Sequence, residues 1–241
     1  MGIAFVPDHT LMKQLFSIML LLWISGPTYS QSYRELRYNM VSNQIEARGI
    51  KHRPTLQAMR KVERHLFVPA DYQKYAYDDT ALPIGLGQTI SQPYVVATMT
   101  ELIEPRAGDR ILEIGTGSGY QAAVLAEIVD EVYTIEIVKE LGERTKKLMS
   151  KLGYNNVHVI IGDGYKGLKE KAPFDAIVVT AAAEKIPPPL IEQLKEGGKM
   201  IIPVGSPSKV QNLVLLHKKN GKVSTTNVTE VRFVPFTREK N

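Results

Sequence analysis

From Arg110 onward, short apolar runs alternate with longer stretches in which apolar and charged positions follow helical spacing. Residues 110–115, 131–136, 157–161, 175–180 and 198–204 read as strands, with helices at 120–129 and 138–152. Strands alternating with helices imply a parallel sheet covered on both faces. Upstream, 31–65 reads as two helices broken around Gly49 and Pro54, and 66–81 as a loop with clustered Tyr and Asp. Pro93 opens a further helix running to about Ile103, because proline suits the first helical turn. The style changes at the end. Leu213–Lys219 and Lys222–Val228 flank Asn220-Gly221, and Asn-Gly between β-rich runs is a strong hairpin signal.

The candidate chemistry sits where the first of these strands ends, in Ile111-Leu-Glu-Ile-Gly-Thr-Gly-Ser-Gly-Tyr120. Gly115, Gly117 and Gly119 allow a tight turn and close backbone approach to a ligand. Their spacing is G-x-G-x-G, not the G-x-G-x-x-G of dinucleotide sites. Glu113, just before the turn, is placed to accept bonds from a ligand amine or hydroxyl. An acid there suits a cation better than a phosphate, which points to S-adenosyl-L-methionine, with its ammonium beside a sulfonium. The competing reading is a glycine turn of any α/β protein. Glu136 closes the second run ~20 residues beyond the turn, where Rossmann-like folds carry the acid that holds ribose hydroxyls. Asp163, between Gly162 and Gly164, either reaches an adenine amine or simply forms a turn. The terminal hairpin separates class I methyltransferases from dehydrogenases. The expected fold is therefore α/β and Rossmann-like, a mostly parallel seven-stranded sheet with helices on both faces and a C-terminal antiparallel hairpin.

Length and composition narrow the class further. The chain has 241 residues, enough for one large α/β domain with a small extension. Cysteine is absent, which removes disulfides and thiolate metal sites, and the five histidines lack ligand spacing, so no metal is expected. The net charge of +5 is spread over helix-like segments such as Lys139 to Lys151, with no Arg-rich or aromatic-interleaved block. No nucleic-acid partner is therefore expected. Residues 1–30 stand apart: Lys13 precedes an apolar run, 15–24, then Ser25-Gly-Pro27 and Thr28-Tyr-Ser30. This is the pattern of a secretory signal, and the run is too short to span a bilayer. Cofactor supply argues instead for the cytoplasm. The expected organisation is a leader at 1–30 and one domain at 31–241, with a helical extension and substrate loop at 31–92 and the cofactor-binding core at 93–241.

The segment Asp79-Thr-Ala-Leu-Pro-Ile-Gly-Leu-Gly-Gln-Thr-Ile-Ser-Gln-Pro93 mixes turn formers, hydroxyls and apolar anchors immediately before the core. Its composition and place suit a substrate loop or lid better than a plain connection. From about Met40 onward the chain resembles the protein-L-isoaspartate O-methyltransferases. The resemblance rests on Met40-Val-Ser-Asn-Gln-Ile-Glu-Ala-Arg-Gly-Ile50, Arg64-His-Leu-Phe-Val-Pro69, Ala76-Tyr-Asp-Asp-Thr-Ala-Leu-Pro83 and above all Gly87-Gln-Thr-Ile-Ser-Gln-Pro93. Leu112–Gly119, Tyr133–Ile137, Phe174–Ala183, Leu194–Gly205 and Arg232-Phe-Val-Pro235 continue it. Glu63 stands where the family usually has proline, and Phe236 replaces a common leucine; neither is expected to touch the chemistry.

That resemblance implies methyl transfer from S-adenosyl-L-methionine to the free carboxylate of L-isoaspartyl residues in damaged proteins and peptides. Ser91 matches the family's active-site serine and would orient the substrate carboxylate, with Thr89 and Gln92 shaping the same pocket. Glu113 and Gly115, Thr116, Gly117 and Gly119 would hold the methionine end, Glu136 the ribose, and Asp163 with Gly164 the adenine. The backbone at Phe233–Val234 would grip the substrate peptide. A cytoplasmic monomer without stable membrane insertion is expected; a cleaved leader would instead make it an exported protein. Three rivals are weaker. An RNA methyltransferase would want a stacking aromatic and a basic channel, a nicotinamide oxidoreductase another glycine spacing. A non-catalytic paralogue would not need Ser91 and the glycine turn intact.

Overall fold

Two short helices lead into the structure, a computed structural model that describes residues 32–206 and 208–238. The leader-like segment 1–30 lies outside the described residues. Helix α1 (Tyr33–Asn39) runs on through a π-helical turn, Met40–Ile45, and a 3-10 turn, Glu46–Arg48. The chain then reverses at Gly49, with φ +98°. Helix α2 (Arg53–Lys61) starts with Pro54 in its first turn, where no backbone donor is needed. The π-helical turn and α2 bury an apolar stripe (Met40, Val41, Ile45, Leu56, Met59) in one cluster with Tyr120, Ala123, Leu141 and Met149 of the core. Arg64 anchors the extension from within. It is fully buried, its Nε donates to the Ala76 carbonyl at 2.7 Å, and its guanidinium lies 4.8 Å from the Tyr120 ring centre. Burial lowers its pKa to about 10, so it keeps its charge at neutral pH.

The 79–93 segment is more ordered than a loop. Strands β1 (Leu82–Gly85) and β2 (Gln88–Ile90) pair antiparallel. Leu82, Ile84 and Ile90 are buried, and the Arg144 guanidinium donates to the Ile84 carbonyl at 2.8 Å. Helix α3 (Pro93–Leu102) follows at the expected proline.

The core is built from β3 (Arg110–Ile114), α4 (Tyr120–Ala126), β4 (Glu131–Glu136), α5 (Lys139–Leu152), β5 (Val157–Ile161), β6 (Phe174–Val179), α6 (Pro188–Gln193), β7 (Leu194–Val204), β8 (Gln211–Lys219) and β9 (Lys222–Val231). Seven strands form one sheet in the order β5-β4-β3-β6-β7-β8-β9. The first five are parallel; β8 runs antiparallel to both β7 and β9. The expected mostly parallel sheet with a C-terminal antiparallel hairpin is thus observed. Residues of β3 alternate between two apolar clusters: Leu112 and Ile114 pack toward α6, and Ile111 toward α3 and α4. Burial on both faces is what the near-continuous apolar runs require. Two elements differ from the sequence expectation. Strand β7 begins at Leu194, ahead of the expected 198, and α6 had no periodic signal because it is six residues long and opens with prolines.

Strands β4 and β5 lie to one side of β3, and β6 and β7 to the other. In open α/β sheets ligands bind outside the carboxyl ends of the strands at such a switch point. The carboxyl end of β3 is Ile114, followed directly by the glycine turn. Among the described residues no helix is long and apolar enough to cross a membrane.

Candidate active site

Two clefts open at the carboxyl ends of β3, β4 and β6. The first is walled by Gly115 and Gly117 of the turn, by Glu136 at the end of β4 with Ile137 and Val138 after it, and by Gly164 after β5. Gln88 and Thr89 of the β1–β2 hairpin, Thr180 after β6, and Val234 to Thr237 of the C-terminal segment complete it. The second, partly open to solvent, is walled by Thr89, Ser91, Gln92, Asp79 to Ala81, Thr180 and Glu230 to Val234. Thr89, Thr180 and Val234 belong to both.

The geometry of the first cleft starts with its turn. Gly115 adopts φ +95°, and a Cβ there would lie 2.4 Å from the Thr180 hydroxyl oxygen. That hydroxyl faces the Gly115 carbonyl at 2.6 Å and the Ile114 carbonyl at 3.0 Å, tying β6 to the turn. Glu136 is pinned on both oxygens: Oε2 accepts from the Gly117 amide at 2.8 Å and Oε1 from the Val138 amide at 2.9 Å. A carboxylate has roughly four acceptor positions, so two remain for a diol. Helix α5 comes close at Gly142, where a Cβ would sit 3.0 Å from Ile161 and 3.4 Å from the Glu136 Cβ.

Four expected site residues lie off these walls. The Glu113 carboxylate, aimed in the sequence reading at a ligand amine, is instead fully buried beneath the turn. The reason is register: β3 pairs Glu113 with Thr134 of β4, and the Thr134 hydroxyl donates to Glu113 Oε2 at 2.5 Å. Thr116 joins this interior group, its hydroxyl 2.7 Å from that of Thr134. Among the described residues, Glu113 Oε1 has no hydrogen-bond partner. Gly119, at φ +85°, begins α4, and a Cβ there would strike Met149 and Thr145. It serves the close packing of α4 on α5. Asp163 is buried beside the first cleft; its Oδ1 accepts from the Tyr165 amide at 3.0 Å and its Oδ2 from the Arg238 Nε at 3.2 Å.

The sequence reading missed Gln88 and Thr180, and it placed Phe236 away from the chemistry. Phe236 lines the first cleft, and its amide donates to the Ala182 carbonyl at 2.9 Å. Glu63, the other departure, pairs with Arg37 at 3.2 Å, away from both clefts. Val234 is where it was expected, but its carbonyl accepts from the Ala182 amide at 2.8 Å. A substrate backbone would have to meet its N–H.

Desolvation raises the Glu113 carboxyl to about 8; the Thr134 hydroxyl opposes the shift and the Glu136 charge reinforces it. The folded chain keeps this proton while the unfolded chain, with an ordinary value of 4.5, releases it. Its contribution to stability is complete below that unfolded value and is lost as pH climbs through the folded one. Glu113→Gln removes the titration and keeps the shape. The melting temperature of the variant relative to the parent is expected to rise steadily between about pH 5 and about pH 8. A difference independent of pH would mean that Glu113 is not the group holding the proton.

The first cleft fits S-adenosyl-L-methionine on its own terms. Side-chain-free backbone at Gly115 and Gly117 meets an amino-acid end, a pinned carboxylate meets a diol, and Ile137, Val138 and Gly164 leave an apolar slot for a flat base. Nicotinamide enzymes share the parallel half of such a sheet but lack the antiparallel edge β7-β8-β9, so fold and site together are those of a class I S-adenosylmethionine-dependent methyltransferase.

Comparison with known proteins narrows the class. The family model described as protein-L-isoaspartate(D-aspartate) O-methyltransferase matches residues 35–241, and the chain belongs to that family. It is 53% identical over 226 residues to a protein-L-isoaspartate O-methyltransferase of Opitutus terrae, covering 94% of this chain and 97% of the relative. A solved protein-L-isoaspartate O-methyltransferase superposes with a TM-score of 0.76 at 31% identity, covering 84% of this chain and 65% of that one. A Plasmodium falciparum structure described under the same activity, in complex with S-adenosyl-L-homocysteine, gives a TM-score of 0.73 at 28% identity, covering 84% and 99%.

Proposed function

We infer that the chain repairs aged proteins, transferring a methyl group from S-adenosyl-L-methionine to the free carboxylate of L-isoaspartyl residues in damaged proteins and peptides. The observation that carries this reading is the junction of the two clefts at Thr89, Thr180 and Val234. A donor in the first cleft and an acceptor in the second would meet there. The methyl ester recyclises to a succinimide without help and reopens partly to normal aspartate.

The cofactor, when bound, supplies an electrophilic methyl group on a sulfonium. The protein's part is positioning. A carboxylate with an ordinary pKa of ~4 is already ionised at neutral pH, so no side chain has to remove a proton. Alignment of nucleophile and donor can contribute roughly 7–11 kcal/mol. We assign that alignment to Ser91, whose hydroxyl orients the substrate carboxylate, with Thr89 and Gln92 shaping the pocket. Gln92 is fixed, its Nε2 donating to the Asp79 carbonyl at 3.1 Å. The Val234 N–H takes the substrate backbone, a contact indifferent to side chain. In the first cleft Gly115 and Gly117 hold the methionine end, Glu136 the ribose and the Asp163–Gly164 corner the adenine. Thr116 and Gly119 act by shaping the turn. We further propose one methyltransferase domain over 31–241, acting as a monomer in the cytoplasm where the cofactor is made. N-terminal sequencing of protein from its host tests the compartment; a start at Gln31 would mean export.

The test is transfer of labelled methyl to paired peptides differing only in isoaspartate versus aspartate. A base-labile ester on the isoaspartyl peptide alone is expected; equal labelling of both, or of neither, would overturn the reading. In the same assay Ser91→Ala is expected to lower kcat roughly ten- to hundred-fold, the worth of one hydrogen bond to a charged group. S-adenosyl-L-homocysteine affinity should stay within about twofold, and its collapse would remove Ser91 from the acceptor side.

A further inference from the structure

The C-terminal segment crosses the first cleft as a strap fastened at both ends. At one end the Val234 carbonyl and the Phe236 amide bond the two sides of Ala182. At the other, Arg238 Nε donates to Asp163 Oδ2 at 3.2 Å, and the guanidinium lies 3.6 Å from the centre of the Tyr165 ring. Pro235 and Phe236, within the first fastening, and Thr237, between the two, form a wall of the cleft. The Asp163 carboxylate is only 2% exposed, so its charge needs a partner, and departure of Arg238, itself 48% exposed, would leave that charge uncompensated. The two fastenings differ in kind. Backbone bonds to Ala182 are neutral and bracket a β-bridge; the Arg238 contact is a half-exposed ion pair that salt weakens.

We propose that Arg238 is a positioning residue for cofactor retention: its clasp on Asp163 and Tyr165 holds the strap closed over the cleft, and opening of the clasp sets how fast the nucleoside product leaves. The proposal rests on the first cleft being the cofactor site. It assigns Arg238 no contact with the reacting atoms. Stacking of the planar guanidinium is part of the clasp, so lysine, which offers a point charge alone, replaces it incompletely.

The experiment measures the dissociation rate of S-adenosyl-L-homocysteine from the full chain by stopped-flow displacement, at about 0.05 M and about 0.5 M salt. For Arg238→Ala the rate is expected to rise roughly tenfold at low salt, with Arg238→Lys between variant and parent. The parent should release faster at high salt, while Arg238→Ala should be nearly insensitive to it. The KM for the cofactor should rise with the same order of variants, while kcat/KM for peptide at saturating cofactor stays within about twofold. A parent that binds S-adenosyl-L-homocysteine and releases it at the same rate as both variants would overturn the clasp and leave the cofactor site standing. A parent that does not bind it at all would overturn the cofactor site, and the clasp with it. Hydrogen exchange in residues 234–238 supplies a readout free of activity, expected to be faster in Arg238→Ala; unchanged exchange would also overturn the proposal.

Discussion

Glu136→Ala is expected to weaken S-adenosyl-L-homocysteine binding by about a hundredfold or more while the fold survives. The carboxylate accepts the Gly117 and Val138 amides, which keeps the turn and the start of α5 at fixed separation. In the proposed assignment it also offers its remaining lone pairs to the ligand diol. Hydrogen bonds to a charged acceptor are worth about 1.5–3 kcal/mol each, and loss of two corresponds to roughly two to four orders of magnitude in affinity. The wall around Glu136 is otherwise apolar and packed, with Ile135 and Leu141 buried, so the chain should still fold. Glu136→Gln keeps acceptor capacity without charge and should fall between. Calorimetric titration with S-adenosyl-L-homocysteine decides this. If affinity stays within a few-fold while kcat drops, Glu136 belongs to the acceptor side and the two clefts have been assigned the wrong way round.

Gly115→Ala should be as damaging to binding and should also cost stability. Two separate effects act at this position. Alanine at φ +95° is strained by about 1–2 kcal/mol, and its methyl would have to occupy space 2.4 Å from the Thr180 oxygen. Thr180 can yield only by giving up its contacts with the Gly115 and Ile114 carbonyls, which lengthens the span between β3 and β6 at the cleft. A combined loss of about 2–3 kcal/mol corresponds to roughly 4–12 °C in melting temperature for a domain of this size. Binding of S-adenosyl-L-homocysteine should be lost to the limit of detection. Thr180→Ala removes the clashing oxygen. The double variant is therefore expected to lose less stability than the sum of the two single changes. Strict additivity would refute the steric account and leave the positive φ as the whole cause.

The two predictions draw on different amounts of sequence information. Glu136 was legible, because an acid closing the second strand of such a unit is set by local order along the chain: strand, turn, helix, strand. The parallel sheet was legible for the same reason, as runs such as Ala176–Val179 are too uniformly apolar to face water on either side. The β1–β2 hairpin was not. Gly85-Leu-Gly87 breaks the alternation on which a strand reading depends, and the apolar anchors Leu82, Ile84 and Ile90 acquire a partner surface only when the N-terminal helices and α5 are in place.

The sequence by itself determined the element order, the glycine turn, the terminal hairpin and the family, because each is written in contiguous residues whose backbone preferences or motif are local. Tertiary structure alone decided which way those residues face. Glu113 stands in the expected motif, yet pairing with Thr134 at a distance of 21 positions turns its carboxylate into the interior, where burial holds its proton. Thr89, Thr180 and Val234 lie in three remote stretches, and only closure of the sheet with the hairpin and the C-terminal strap brings them to one junction. Arg238 carries no local signal at all. Its meaning comes from Asp163, 75 positions away, a buried charge whose need for a partner exists only once the chain has folded around it.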